Sequence, residues 1–155
     1  MKNEVRSKRA PDSEPKASER RASRIIDVSA GLIFRAGKLL ITQRKPGDHL
    51  GGLWEFPGGK REPRESFEVC LERELMEELG VVVEIRELIG RVTHRYPEKT
   101  VRLHFYRCAW LKHEPEPIGC NALAWIDRDH LDRYAFPPAD AQLLRKLESS
   151  PELWA

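Results

Sequence analysis

Apolar residues come in short runs from Ile25 to Phe34 and again from Leu39 to Arg44, on either side of Ala36-Gly37-Lys38. β-branched and large apolar side chains flanking a glycine turn predict two strands joined as a hairpin. The next stretch, Lys45 to Lys60, interrupts the pattern with five glycines and two prolines around Leu53-Trp54 and Phe56, which predicts an ordered loop without a long regular element. Residues 65–79 hold neither Gly nor Pro and place Phe67, Leu71, Leu75 and Leu79 at steps of four. That spacing predicts a helix with one apolar stripe, and Gly80 stands where its C-cap belongs. Strands are expected again at Val81–Ile89, Arg91–Tyr96, Val101–Trp110 and Ala122–Ile126, with a turn at Pro97-Glu98-Lys99 and a closing helix over Ala139–Leu147 behind Pro137-Pro138. Strands, one central helix, strands and one terminal helix make an α/β fold with a mixed sheet covered by helices. The sequence shows no internal repeat.

With 155 residues, 40% hydrophobic and 34% charged, the chain has the length and apolar content of one domain with a single core. Residues 1–24 contain one Val, no Ile, Leu or aromatic residue, and eight basic against four acidic side chains. Such a segment buries too little to offset its ordering entropy, so a disordered basic tail is expected ahead of a folded domain at 25–150. The formal charge is +2, so the rest of the chain is net −2. A slightly acidic body does not supply the cations of a broad nucleic-acid face, and only the tail leaves such a partner open. There is no apolar run long enough to span a membrane and no apolar export signal, so no membrane association and a cytoplasmic location are expected. Cys70, Cys108 and Cys120 form an odd set without a CxxC pair, which fits reduced, buried thiols. The five histidines have no metal-ligand spacing, and His104, between Leu103 and Phe105, reads as structural.

The central helix reads Arg73-Glu74-Leu75-Met76-Glu77-Glu78-Leu79-Gly80. At 3.6 residues per turn, Glu77 and Glu78 lie at about −60° and +40° from Glu74, so three carboxylates share an arc of roughly 100°. Like charges this close repel, and a cation should compensate them. Arg73 can neutralise one. Carboxylate oxygens directed at one spot are the hard ligands that Mg²⁺, or Mn²⁺, prefers. A solvated acidic helix face is the alternative for a Glu-rich helix taken alone. Upstream, however, comes Phe56-Pro57-Gly58-Gly59-Lys60, whose backbone can approach a metal or phosphate closely, followed by Glu65 at the expected helix start.

Gly59, five residues, Glu65, seven residues, then Arg73-Glu74-Leu75-Met76-Glu77-Glu78-Leu79-Gly80-Val81 match every fixed position of the Nudix box over 23 residues. Ile41-Thr42-Gln43-Arg44, Leu53 to Lys60, Arg102-Leu103-His104-Phe105-Tyr106 and Phe136-Pro137-Pro138-Ala139-Asp140 also resemble MutT-type nucleoside triphosphate pyrophosphohydrolases, so the likeness runs from about Ile25 to Leu147. The resemblance implies a Nudix-type α/β/α sandwich and metal-dependent hydrolysis of a nucleoside triphosphate to monophosphate and pyrophosphate. By the same likeness, Gly59, Glu74, Glu77 and Glu78 hold Mg²⁺ (or Mn²⁺), one of the glutamates or its bound water serves as base, and Arg73 orients Glu74. Glu65 and Lys60 support the loop, Arg44 clamps a phosphate, and Phe56 and Asp140 meet the nucleoside.

One departure stands out. Relatives of this type bring a further Glu from the loop six residues before the Trp of the late strand. Counting back from Trp125 reaches Gly119, leaving Glu114 and Glu116 as possible substitutes. In oxidised-guanine hydrolases of this type the base-reading residue is an Asn, where this chain has Asp140. An ionised Asp only accepts hydrogen bonds. It can take N7–H of 8-oxoguanine but opposes O6, whereas the amino group of cytosine raises no such conflict. Three functions are therefore expected to compete: a hydrolase sanitising oxidised nucleotides such as 8-oxo-dGTP, a cytidine or modified-pyrimidine triphosphatase, and a catalytically weak recognition module for oxidised guanine in DNA. A helix-capping role for Asp140 is the structural alternative. Monomer and homodimer are both compatible with this reading.

Overall fold

The computed structural model describes residues 24–155; the expected disordered tail lies outside them, apart from Arg24. β1 (Ile25–Arg35) and β2 (Lys38–Gln43) form the expected hairpin, turning through Ala36 and Gly37, which both have positive φ. β1 is the spine of the sheet. It pairs antiparallel with β2 at its end, antiparallel with β4 (Gly58–Lys60) over Val28–Ala30, and parallel with β6 (Thr100–Lys112) over Ile25–Ile33. β5 (Val82–Arg95) lies antiparallel on β6, while β3 (Trp54–Glu55) and β7 (Ala122–Ile126) pair with β2, giving a mixed seven-stranded sheet.

Side chains alternate across the sheet, as a two-residue period requires. Ala30, Leu32, Leu39 and Ile41 enter one core with Leu131 and with Leu143 and Leu147 of α2 (Ala141–Ser149). Ile33 and Leu40 enter the other with Leu71, Leu75 and Leu79 of α1 (Phe67–Leu79). A helix on each face makes the α/β/α sandwich. Ser66 caps α1 by accepting from the Val69 N–H at 3.1 Å, so the helix starts two residues later than its sequence pattern suggested. Gly80 closes it at φ +66°, donating to the Met76 carbonyl at 2.9 Å. Phe67, partly buried at the start of the expected stripe, packs against the same cluster and stacks on His104 at 3.6 Å.

Four other differences have physical causes. The glycine-rich stretch expected as a loop contains β3 and β4, because Gly58 lacks the Cβ that would collide with the Ser29 carbonyl. Val82–Arg95 is one strand rather than two, its irregularities being absorbed by bulges between Val82 and Gly90. α2 begins at Ala141 because Pro138–Asp140 form a 3₁₀ turn. A last 3₁₀ turn, Pro151–Trp154, seats the Trp154 ring in the α2 core edge-on to Phe34, so the packed unit passes the expected boundary at 150. All three cysteines are buried and free, and among the described residues no helix is long and apolar enough to cross a membrane.

Candidate active site

A cleft of about 330 Å³ opens where β4, the start of β1 and the start of β6 meet the loop after β2 and the entry to α2. Its lining brings together Arg44, Phe56, Gly59, Lys60, Glu78 and Asp140, drawn from segments almost a hundred residues apart.

The box residues are held by Arg73. Its guanidinium grips Glu65 at 2.6 and 3.0 Å, meets Glu74 at 3.0 Å and Glu77 at 3.3 Å, and donates to the Lys60 carbonyl at 3.2 Å. The loop that carries Gly59 is thereby tied to the helix that carries the carboxylates. Glu65 lies before the helix, its carboxyl held down at about 2 by Arg73 and by the Glu62 N–H. Glu74 packs its carboxylate directly on Gly59, where any Cβ would strike it. The Gly59 carbonyl accepts from the Cys70 thiol at 3.6 Å. Burial pushes Glu74 up against the opposing pull of Arg73. Glu78 rises further, to about 8, through burial and the charges of Glu55 and Glu74, against a hydrogen bond from Gly58. Glu77 is 59% exposed and faces Arg73. Among the described residues no three acidic side chains gather about one point as a closed metal cage. The helix arithmetic places the carboxylates on one face; the side chains then divide between Arg73 and the cleft.

Arg44 donates to Glu55 at 3.0 Å and to the His49 carbonyl at 2.7 Å, which fixes its guanidinium at the cleft wall. Phe56 is 4% exposed, stacked on Phe136 at 5.2 Å and edge-on to Phe105, so it is a core residue that also lines the cleft. Asp140 makes no side-chain capping bond to α2, which overturns the capping alternative. It is 6% exposed, and burial together with the Glu55 charge pushes its carboxyl up to about 7. The expectation of a simply ionised Asp140 is corrected accordingly: its neutral form is accessible near pH 7 and can donate as well as accept.

Neither loop acid fills the gap at Gly119. Glu114 is bound by Arg35 at 2.7 Å, Glu116 is exposed, and neither lines the cleft. Among the cleft residues that escaped the sequence reading are Glu55, Tyr96 and Lys99. Tyr96, edge-on to His49 and His94, and Lys99 frame the turn between β5 and β6. The only sequence signal for them was an aromatic and a cation flanking Pro97-Glu98.

The NUDIX domain profile matches residues 29–146. An 8-oxo-dGTP diphosphatase of Haemophilus influenzae is 38% identical over 128 residues, covering 80% of this chain and 92% of the relative. A CTP pyrophosphohydrolase of Escherichia coli is 37% identical over 127 residues, covering 78% and 90%. Among solved structures, the E. coli ORF135 protein superposes with a TM-score of 0.66 at 32% identity, covering 88% of this chain and 95% of that one. The MutT protein of Methanosarcina mazei superposes at 0.74 with 20% identity, a likeness of fold. With its sheet, its acidic helix and its cleft all inside the matched span, this chain belongs to the NUDIX domain family and is a Nudix hydrolase.

Proposed function

We propose that the protein hydrolyses nucleoside triphosphates to the monophosphate and pyrophosphate with Mg²⁺ (Mn²⁺ as alternative), and that oxidised nucleotides such as 8-oxo-dGTP are its main substrates. The observation that carries this is the cleft itself, which joins the acidic face of α1 and Gly59 to Asp140, a buried acid whose carboxyl makes no hydrogen bond among the described residues. The donor set fits a hard divalent ion. Glu74 and Glu78 are part-buried acids pushed up by desolvation, and Gly59, having no Cβ, lets the Glu74 carboxylate pack against its backbone. Glu74, Glu77, Glu78 and the Gly59 carbonyl would hold the ion. When bound, it screens the phosphate charge and acidifies a water.

The chain's own groups do the rest. Arg73 keeps Glu74 and the Lys60 carbonyl in register, with Glu65 as its anchor. Arg44 and Lys60 supply positive charge for the phosphates, and Phe56 offers an apolar wall to the nucleoside. Asp140 reads the base edge. A monomer or a homodimer would serve, and a free-nucleotide substrate puts the proposed work in the cytoplasm.

A second reading, hydrolysis of cytidine nucleotides, is favoured by the ionised form of Asp140 above about pH 7, which only accepts, and by the name of the E. coli relative. Pyrophosphate release against 8-oxo-dGTP, dGTP, CTP and 5-modified dCTP separates the two. The first reading expects kcat/KM for 8-oxo-dGTP well above that for dGTP and CTP. A preference for CTP establishes the second. Binding of oxidised guanine in DNA without any turnover would overturn both.

A further inference from the structure

Gly119, where an acid was expected, packs closely against Glu78. Its N–H and that of Ile118 both donate to the Glu78 carbonyl at 3.0 Å, and a Cβ on Gly119 would stand 3.2 Å from the Cα and 3.3 Å from the Cγ of Glu78. A side chain there would press on Glu78, which would have to give by a few tenths of an ångström. Glu114 is held away by Arg35, which lies over the Trp125 ring at 4.2 Å.

Glu55 reaches the site instead. It stands on β3 directly opposite Thr42 of β2, and directly opposed residues of an antiparallel pair share a face. Two residues along the chain from Thr42 in one direction is Arg44, which pairs with Glu55 at 3.0 Å. Two residues the other way is Leu40, which packs among Leu71, Leu75 and Leu79. Glu55 therefore projects from the face that α1 covers. Glu55 and Glu78 line the same cleft, as does Asp140. The Asp140 carboxyl, on a residue 94% buried and with no hydrogen bond among the described residues, marks the same cleft as built for a ligand.

We propose that Glu55 supplies the fourth carboxylate facing the divalent cation, in place of a loop acid, with Arg44 holding it in position. The proposal rests on the triphosphate-hydrolase reading for its role in catalysis, while its metal arm can be tested without turnover. Mn²⁺ binding, followed by electron paramagnetic resonance, is compared in the wild type, Glu55→Gln, Glu114→Gln and Glu116→Gln. Glu55→Gln is expected to weaken Mn²⁺ binding by about tenfold or more at unchanged melting temperature, and to lower kcat for pyrophosphate release with little change in the nucleotide KM. Glu114→Gln and Glu116→Gln should leave both as in the wild type. Glu55→Asp, which keeps the charge and the pairing distance within a methylene, should give intermediate Mn²⁺ affinity and serves if the Gln variant does not fold. Wild-type Mn²⁺ affinity in Glu55→Gln overturns the proposal, as does loss of affinity in Glu116→Gln. A raised KM alone also overturns it, since that is what loss of a support for Arg44 would produce. If the wild type binds Mn²⁺ through Glu55 but releases no pyrophosphate, the hydrolase reading fails and this one stands.

Discussion

Arg73 shows how one side chain settles the fate of its neighbours: by taking Glu65, Glu74 and Glu77 it leaves Glu78 as the one of the three clustered glutamates without an ion pair among the described residues. Removing the Glu78 charge should therefore lower turnover by orders of magnitude while stabilising the metal-free fold. The sign follows from its raised carboxyl. The folded state prefers the proton, so stability is intact below the ordinary carboxylate range, near 4.5, and is lost as pH rises through about 8. Glu78→Gln should accordingly raise the melting temperature at pH 8.5 and change it little at pH 4; full activity with Mg²⁺ would remove Glu78 from the site. The same reasoning applies to Asp140, whose carboxyl is raised from 3.8 to about 7. Asp140→Asn should stabilise the protein above pH 7. If Asp140 reads the base, the Asn variant should also shift the kcat/KM ratio toward 8-oxo-dGTP over CTP by roughly 1–3 kcal/mol at pH 8, because an amide both accepts from N7–H and donates to O6. An unchanged ratio would leave Asp140 without a part in base choice.

At the scale of elements, α1 is bounded by two local devices that can be tested separately. Ser66→Ala removes the N-cap and should cost about 1 kcal/mol in denaturant unfolding. Gly80→Ala should cost a similar amount, about 1 kcal/mol, for a left-handed position, and more if Ile118, 3.2 Å from the added Cβ, does not yield. Both ends were legible in the sequence, since cap residues and a four-residue stripe are local signals. So were Gly59, Glu65, Arg73 and the three glutamates, which lie within 20 residues of one another. β4 was not legible, because Gly58 and Gly59 carry no apolar pattern and become a strand only through the neighbouring backbone of β1. Glu55, Tyr96 and Lys99 were missed for the same kind of reason: the topology of the sheet brings them to the cleft. The raised carboxyl of Asp140 depends on burial, which no spacing records.

For the molecule as a whole, Trp154 ties the end of the described chain to the sheet, its indole N–H donating to the Leu147 carbonyl at 3.0 Å and its ring meeting Phe34. Trp154→Ala should cost about 3–5 kcal/mol by calorimetry or denaturant unfolding, as for other buried aromatic residues; a loss under 1 kcal/mol, the scale of surface substitutions, would show that the core closes without it. The central parallel pairing of β1 with β6 has a consequence for biosynthesis. Ile25 waits for Thr100 and Ile33 for Cys108, so the strand made first has only its hairpin partner and the short β4 until most of the chain has left the ribosome. Contacts this distant in sequence form slowly, and an unpaired apolar strand is exposed to aggregation while it waits. Because the cleft is floored by residues of both strands, Val28 and Ala30 on one and Val101 and Leu103 on the other, no working site can exist on a nascent chain before β6 is released.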